Sequence, residues 1–243
     1  MRVWVLLLLA CLCCVASCRN APAVEREQMR RDVETVKPED RQALRARLRL
    51  TLLGDGPTRP EVDPHLRASA AQGLGNLANP EDSDALLEGL SGPLADENLQ
   101  VRMECAIGLG KLVYGSENAE QRKAVLRRLR DRLGFDRDEA GRLYEREYFV
   151  RLAMLNSMIQ IGGRTAAFSV HDVASRLVVD LEGAQAGANA DASDKGLLER
   201  ALEGLRQLTG ATVAEAAANR RLSDDLEPHM KWWAQRVSQL PEG

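Results

Sequence analysis

The sequence predicts an all-α protein, a short α-solenoid of paired helices closed by a C-terminal helical cap. Three observations predict it. Leu66–Leu77, LRASAAQGLGNL, recurs 35 residues on as Val101–Leu112, VRMECAIGLGKL. Arg67, Ala71, Gly73, Leu74 and Gly75 are matched there by Arg102, Ala106, Gly108, Leu109 and Gly110. A recurrence of that length marks repeat architectures. Composition agrees, since aromatic residues are only 4% of the chain while Ala, Leu, Arg and Glu dominate, a balance that favours helices over strands. Finally, apolar residues recur at the helical period of three and four, not at the strand period of two.

A first helix is expected over Glu39–Leu53, ended by Gly54. Asp63-Pro64 supplies a cap and a first-turn proline for the next, whose Leu66, Ala70, Leu74 and Leu77 form one face. Asn79-Pro80 breaks it, and Ser83 starts a partner carrying Ala85, Leu86, Leu87 and Leu90, ending near Gly92. The second unit repeats this with Val101–Val113, a turn at Tyr114-Gly115-Ser116, and Glu117–Leu133. A diverged third copy, YFVRLAMLNSMIQIGG, places Arg151 where Arg67 and Arg102 stand. Its partner is expected from Ser169, with Asp172 completing a capping box, on a face of Val170, Val173, Ala174, Leu177, Val178 and Leu181 closed by Gly183. Residues 39–183 thus form the repeat block. AQAGANADASD, residues 184–194, reads as a low-complexity linker, and residues 195–243 as capping helices, the first being Gly196–Leu208.

Paired helices cannot bury their apolar faces alone, so units stack. Glycine inside a helix costs ~1 kcal/mol relative to alanine, so Gly73, Gly75, Gly108 and Gly110 imply close helix approach, and Arg67, Arg102 and Arg151 are expected to form a ladder of hydrogen bonds between units. Over Asp63–Gly183 these residues resemble HEAT-type repeats, in the short bacterial form with an inner helix R-x-x-A-A-x-x-L-G-x-L. The match is good over two units and loose over the third. LRQLTG followed by Trp232-Trp233 resembles the closing element of many bacterial HEAT-repeat proteins, which implies that Trp232, Trp233 and Met230 cover the last repeat face.

The amino terminus reads as an address. One charge at Arg2 precedes an apolar run, Val3–Ala16, shorter than the ~20 residues a membrane span needs. Residues 1–17 have the layout of a secretory signal peptide. Val15-Ala16-Ser17-Cys18 resembles a bacterial lipoprotein signal, which implies diacylglyceryl modification of Cys18. The competing Leu8-Leu9-Ala10-Cys11 leaves a very short apolar core, and an ordinary cleaved signal would leave Cys18 without a role. Residues 18–38 are expected to be a flexible tether. Position 19 is Arg, so the family's inner-membrane retention Asp is absent. Together these predict an exported, lipid-anchored protein facing the periplasm or the cell surface. The body has only Cys105, which excludes a disulfide-stapled fold and reads as a small buried hydrophobe.

A net charge of −3 gives no preference for nucleic acid. Asp136, Asp138, Gly141 and Glu147 occupy positions 1, 3, 6 and 12 of an EF-hand loop, with Leu143 at position 8. Ala140 stands where an oxygen ligand is needed, so Ca2+ is a weak candidate and no other cofactor is expected. QRKAVLRRLRDR gathers Arg122, Lys123, Arg127, Arg128, Arg130 and Arg132 on an amphipathic helix with Leu126, Leu129 and Leu133 inward. His65, His171 and His229 show no ligand spacing, and no nucleophile elbow, P-loop or dinucleotide fingerprint occurs. The expectation is a non-enzymatic envelope scaffold that binds a protein or peptide partner. The alternative is a module binding lipid or anionic polymer through residues 122–132. A lyase-type enzyme on a HEAT-like scaffold comes third. Relatives of the architecture include bilin lyases and alkylpurine glycosylases, but export and the acidic balance argue against DNA as a substrate.

Overall fold

The computed structural model describes residues 23–54, 62–91, 96–114, 116–135, 145–185, 192–221 and 226–241, and these are helical without strands. In chain order the helices are α1 (23–35), α2 (Arg41–Leu53), α3 (Pro64–Leu77), α4 (Ser83–Ser91), α5 (Leu99–Val113), α6 (Ala119–Arg130), α7 (Tyr148–Ile161), α8 (Gly163–Gln185), α9 (Ala192–Thr209), α10 (Val213–Arg221) and α11 (Leu226–Ser238). None is long and apolar enough to cross a membrane among the described residues.

Start signals work as the sequence predicts. The Asp63 carboxylate accepts from the His65 backbone N–H at 2.7 Å, ahead of Pro64 at the first turn. Asn98 and Asn118 cap α5 and α6 in the same way, so these helices start at Leu99 and Ala119 and not at the expected Val101 and Glu117. Helix α8 departs from expectation by starting at Gly163, not Ser169. Gly162 and Gly163 both take positive φ, 75° and 77°, which only glycine adopts freely, so the chain reverses in two residues and re-enters a helix at once. Ser169 then lies inside α8, its hydroxyl bonded to the Thr165 carbonyl.

Alternate helices pack side by side: α3 on α5, α5 on α7 and α7 on α9, with α6 on α8 alongside. The core is a continuous sheet of small and aliphatic side chains from Leu44 to Val237. Where the helices approach most closely, glycine is obligatory for steric reasons. A Cβ on Gly75 would sit 2.5 Å from the Gly108 Cα, and one on Gly110 would sit 2.9 Å from the Ser157 Cβ. Ser157 is buried there and donates its hydroxyl to the Ala106 carbonyl at 2.7 Å, tying α7 to α5.

Two expected boundaries are corrected. Residues 23–35, assigned to a flexible tether, are helical. Met29, Val33 and Val36 pack on the core, while Arg30 bonds Glu27 and Glu34 one turn to either side. Apolar residues at this spacing were hidden among charges. Helix α9 starts at Ala192, inside the segment expected as a linker, and packs against both α7 and α8. Its segment ALEGLRQL aligns with CAIGLGKL of α5, Gly204 falling at the place of Gly108 and meeting Ile159 of α7. Helix α11 lies mainly against α8, with Met230, Trp233 and Val237 buried and Trp232 half-buried. The Trp233 indole N–H donates to His229 Nε2 at 3.0 Å, satisfying its one polar atom.

Candidate functional site

The repeated arginines each reach a carboxylate preceding or opening the next helix of their row. Arg67 grips Asp96 with Nε at 2.6 Å and Nη2 at 3.1 Å. Arg102 grips Glu145 with Nε at 2.8 Å and Nη2 at 3.2 Å. Arg151 donates Nη1 to Asp194 at 2.6 Å. Arg102 also donates Nη1 to the Asp96 and Glu97 carbonyls, so successive rungs share a residue. Asp96 and Glu145 each accept from a backbone N–H two residues on, at Asn98 and Glu147, which holds the carboxylate before the helix starts. The acids escaped the sequence reading because they lie 29 to 43 residues from their arginines. For Asp96 and Glu145 the signal is an acid two positions before the cap, whereas Asp194 stands in the first turn of α9.

With the arginines buried in this ladder, the face α3, α5 and α7 leave uncovered is made by other residues. Equivalent positions Gln72, Ile107 and Asn156 turn outward on successive helices. Met103, Ile107, Leu152 and Ile159 are partly buried on α5 and α7, and Phe149 at the start of α7 is 63% exposed. Polar links cross between helices at the surface, Lys111 Nζ to Asn76 Oδ1 at 2.8 Å and Arg200 Nε to Asn156 Oδ1 at 2.7 Å. Among these apolar neighbours lies Glu104. Burial raises its carboxyl above the ordinary value, and Lys111 opposes this in part. Below it Cys105 is buried, and burial pushes its thiol far up, which removes it as a nucleophile at neutral pH.

The basic helix divides. Arg130 is held by Asp131 at 2.8 Å and Asp172 of α8 at 3.2 Å. Arg132, on the π turn Asp131–Phe135 that ends α6, donates to the Ser91 carbonyl. These two brace the packing. Arg127 and Arg128 stand exposed, and Lys123 pairs with exposed Glu120. Arg122 faces a cleft of about 450 Å³ shared with the α7–α8 turn.

Several expectations lie outside the described residues: the signal segment 1–17, Cys18, and Asp136, Asp138 and Gly141 of the EF-hand-like loop. Glu147 is described, exposed just ahead of α7, its carbonyl accepting from the Arg151 backbone. Among the described residues no three potential metal ligands gather. The chain matches no family model and no curated protein.

Proposed function

We propose that the protein is an exported, lipid-anchored scaffold in which HEAT-like hairpins stack into a short solenoid and present one face to a protein or peptide partner. One observation carries this reading. The alternate packing of α3, α5, α7 and α9 takes the repeated arginines into arginine–carboxylate rungs and leaves the equivalent positions Gln72, Ile107 and Asn156 at the surface, with Met103, Leu152 and Ile159 only partly buried on the same helices. A partly apolar centre with a polar rim is the composition of a protein interface core. Membrane attachment through Cys18 would hold that face near the bilayer, two or three acyl chains giving a stable anchor.

The test is photo-cross-linking in cells from Ile107 and Asn156, with Arg128 on α6 as the outer-face control. One partner captured from the first two positions only, and reduced when Cys18→Ser removes the anchor, supports the scaffold. Equal capture from Arg128 would overturn the assignment of the face. A second reading rests on Lys123, Arg127 and Arg128, which line the exposed side of α6 and suit an anionic lipid or polymer. Vesicle binding that survives charge reversal at these three positions removes it.

A further inference from the structure

We propose that the cleft between α6 and the α7–α8 turn binds a free phosphate monoester carried on a small sugar or polyol. This site is separate from the partner face and does not rest on the scaffold reading. Its walls are Ala119, Arg122, Lys123 and Leu126 on one side, with Gly162 to Thr165 and Phe168 on the other. Among the described residues three cationic side chains line it and no carboxylate does. At about 450 Å³, it falls within the usual 300–1,000 Å³ of small-molecule sites.

The chemistry of the lining selects the ligand. Among the described residues no carboxylate pairs with Arg122, unlike Arg130 about two turns further along the same helix, which has two. Its planar fork suits a phosphate bidentately, whereas Lys123 adds a point charge. Arg164 lies with its guanidinium carbon 5.6 Å from the Phe168 ring centroid, which places a second arginine charge on the wall opposite Arg122. The first turn of α8 adds like-signed partial charge. A carboxylate would satisfy one arginine fork, while a tetrahedral dianion presents three oxygens and a second charge to cations that stand on both walls. Leu126, Ala119 and the 41%-exposed Phe168 ring supply an apolar floor for the carbon face of a sugar or glycerol.

The experiment is titration calorimetry on the full-length, detergent-solubilised protein with glycerol 3-phosphate, glucose 6-phosphate, glycerol and glucose. Both phosphate esters are expected to bind and both neutral polyols to give no heat. Arg122→Gln and Arg164→Gln should each weaken binding at least tenfold, with Arg122→Lys recovering part of the loss. Arg128→Gln, on the exposed side of α6, should bind as wild type. Circular dichroism of each variant separates a lost site from a lost fold. Absence of heat with both esters at millimolar concentration would overturn the proposal. So would equal weakening by Arg128→Gln, which would signify diffuse charge, or binding only to vesicles of anionic phospholipid, which would assign the cleft to a membrane surface.

Discussion

Replacing Gly75 by alanine tests the packing argument most directly. The added methyl would sit 2.5 Å from the Gly108 Cα and 3.3 Å from its carbonyl oxygen. Carbon atoms rest at about 3.5–4.0 Å, so α3 and α5 must part by about 1 Å, and the obstacle is backbone that cannot rotate aside. Overpacking of this kind costs typically 1–3 kcal/mol, against a helix-propensity gain of ~1 kcal/mol for removing a glycine. The backbone clash puts the cost at the upper end, and the expected net loss is about 2 kcal/mol. For a chain this size that lowers the melting temperature by roughly 4–8 °C. Gly73→Ala, two residues away in the same helix, meets only the ends of flexible side chains, Leu48 Cδ1 at 3.1 Å and Val33 Cγ2 at 3.2 Å. It has the same propensity gain and should change stability by less than ~0.5 kcal/mol. Urea unfolding followed at 222 nm gives both midpoints. Equal shifts for the two variants, or a stabilised Gly75→Ala, would refute the claim that backbone contact between α3 and α5 demands glycine.

Removing one partner of a buried rung should be far worse than removing both. Asp96→Ala leaves Arg67 buried beside no carboxylate and is expected to cost about 3–5 kcal/mol, while Arg67→Met with Asp96→Leu should recover most of it; a denaturation midpoint for each variant decides. Trp233, 1% exposed against α8 and α9, should cost about 3–5 kcal/mol as alanine, and half-buried Trp232 clearly less, read by the same unfolding curves. The pH dependence of α11 docking follows from His171. Burial alone would depress its pKa, but the Asp172 carboxylate and the Met230 carbonyl outweigh that and raise it above 6.5. Its Nε2–H donates to the Met230 carbonyl at 3.0 Å, so its stabilisation is full below pH 6.5 and fades as pH rises through the raised value. Trp fluorescence across that range should report loosening on the alkaline side, absent in His171→Gln. At the other end of the chain, Arg30 and Arg31 hold Glu27 at about 2, so α1 should keep its helicity down through pH 4.5 and lose it between there and pH 2, measured by far-ultraviolet dichroism against Glu27→Gln.

The sequence by itself determined the helical class, the starts of α3 and α4 and the ends of α2, α7 and α9. Proline, asparagine, aspartate and glycine at those places act within one turn, and local chemistry of that range is written in adjacent letters. It also marked Gly75, Gly110 and the three arginines, because a recurrence exposes positions whose cost must be offset elsewhere. Only the tertiary structure decided what those positions meet. The partners Asp96, Glu145 and Asp194 lie across loops of unequal length, so spacing along the chain says nothing of them. Helix α9 escaped recognition as a further stacked helix because bulk changes sides at its contact. Ile159 stands where Gly75 and Gly110 stand in earlier units, and Gly204 makes room for it. The basic helix reads as one patch along the chain and separates in space, since Arg130 and Arg132 are drawn inward by Asp172 and the Ser91 carbonyl. Charge pairing depends on distances of a few ångströms between helices, and those are set only when the helices have packed.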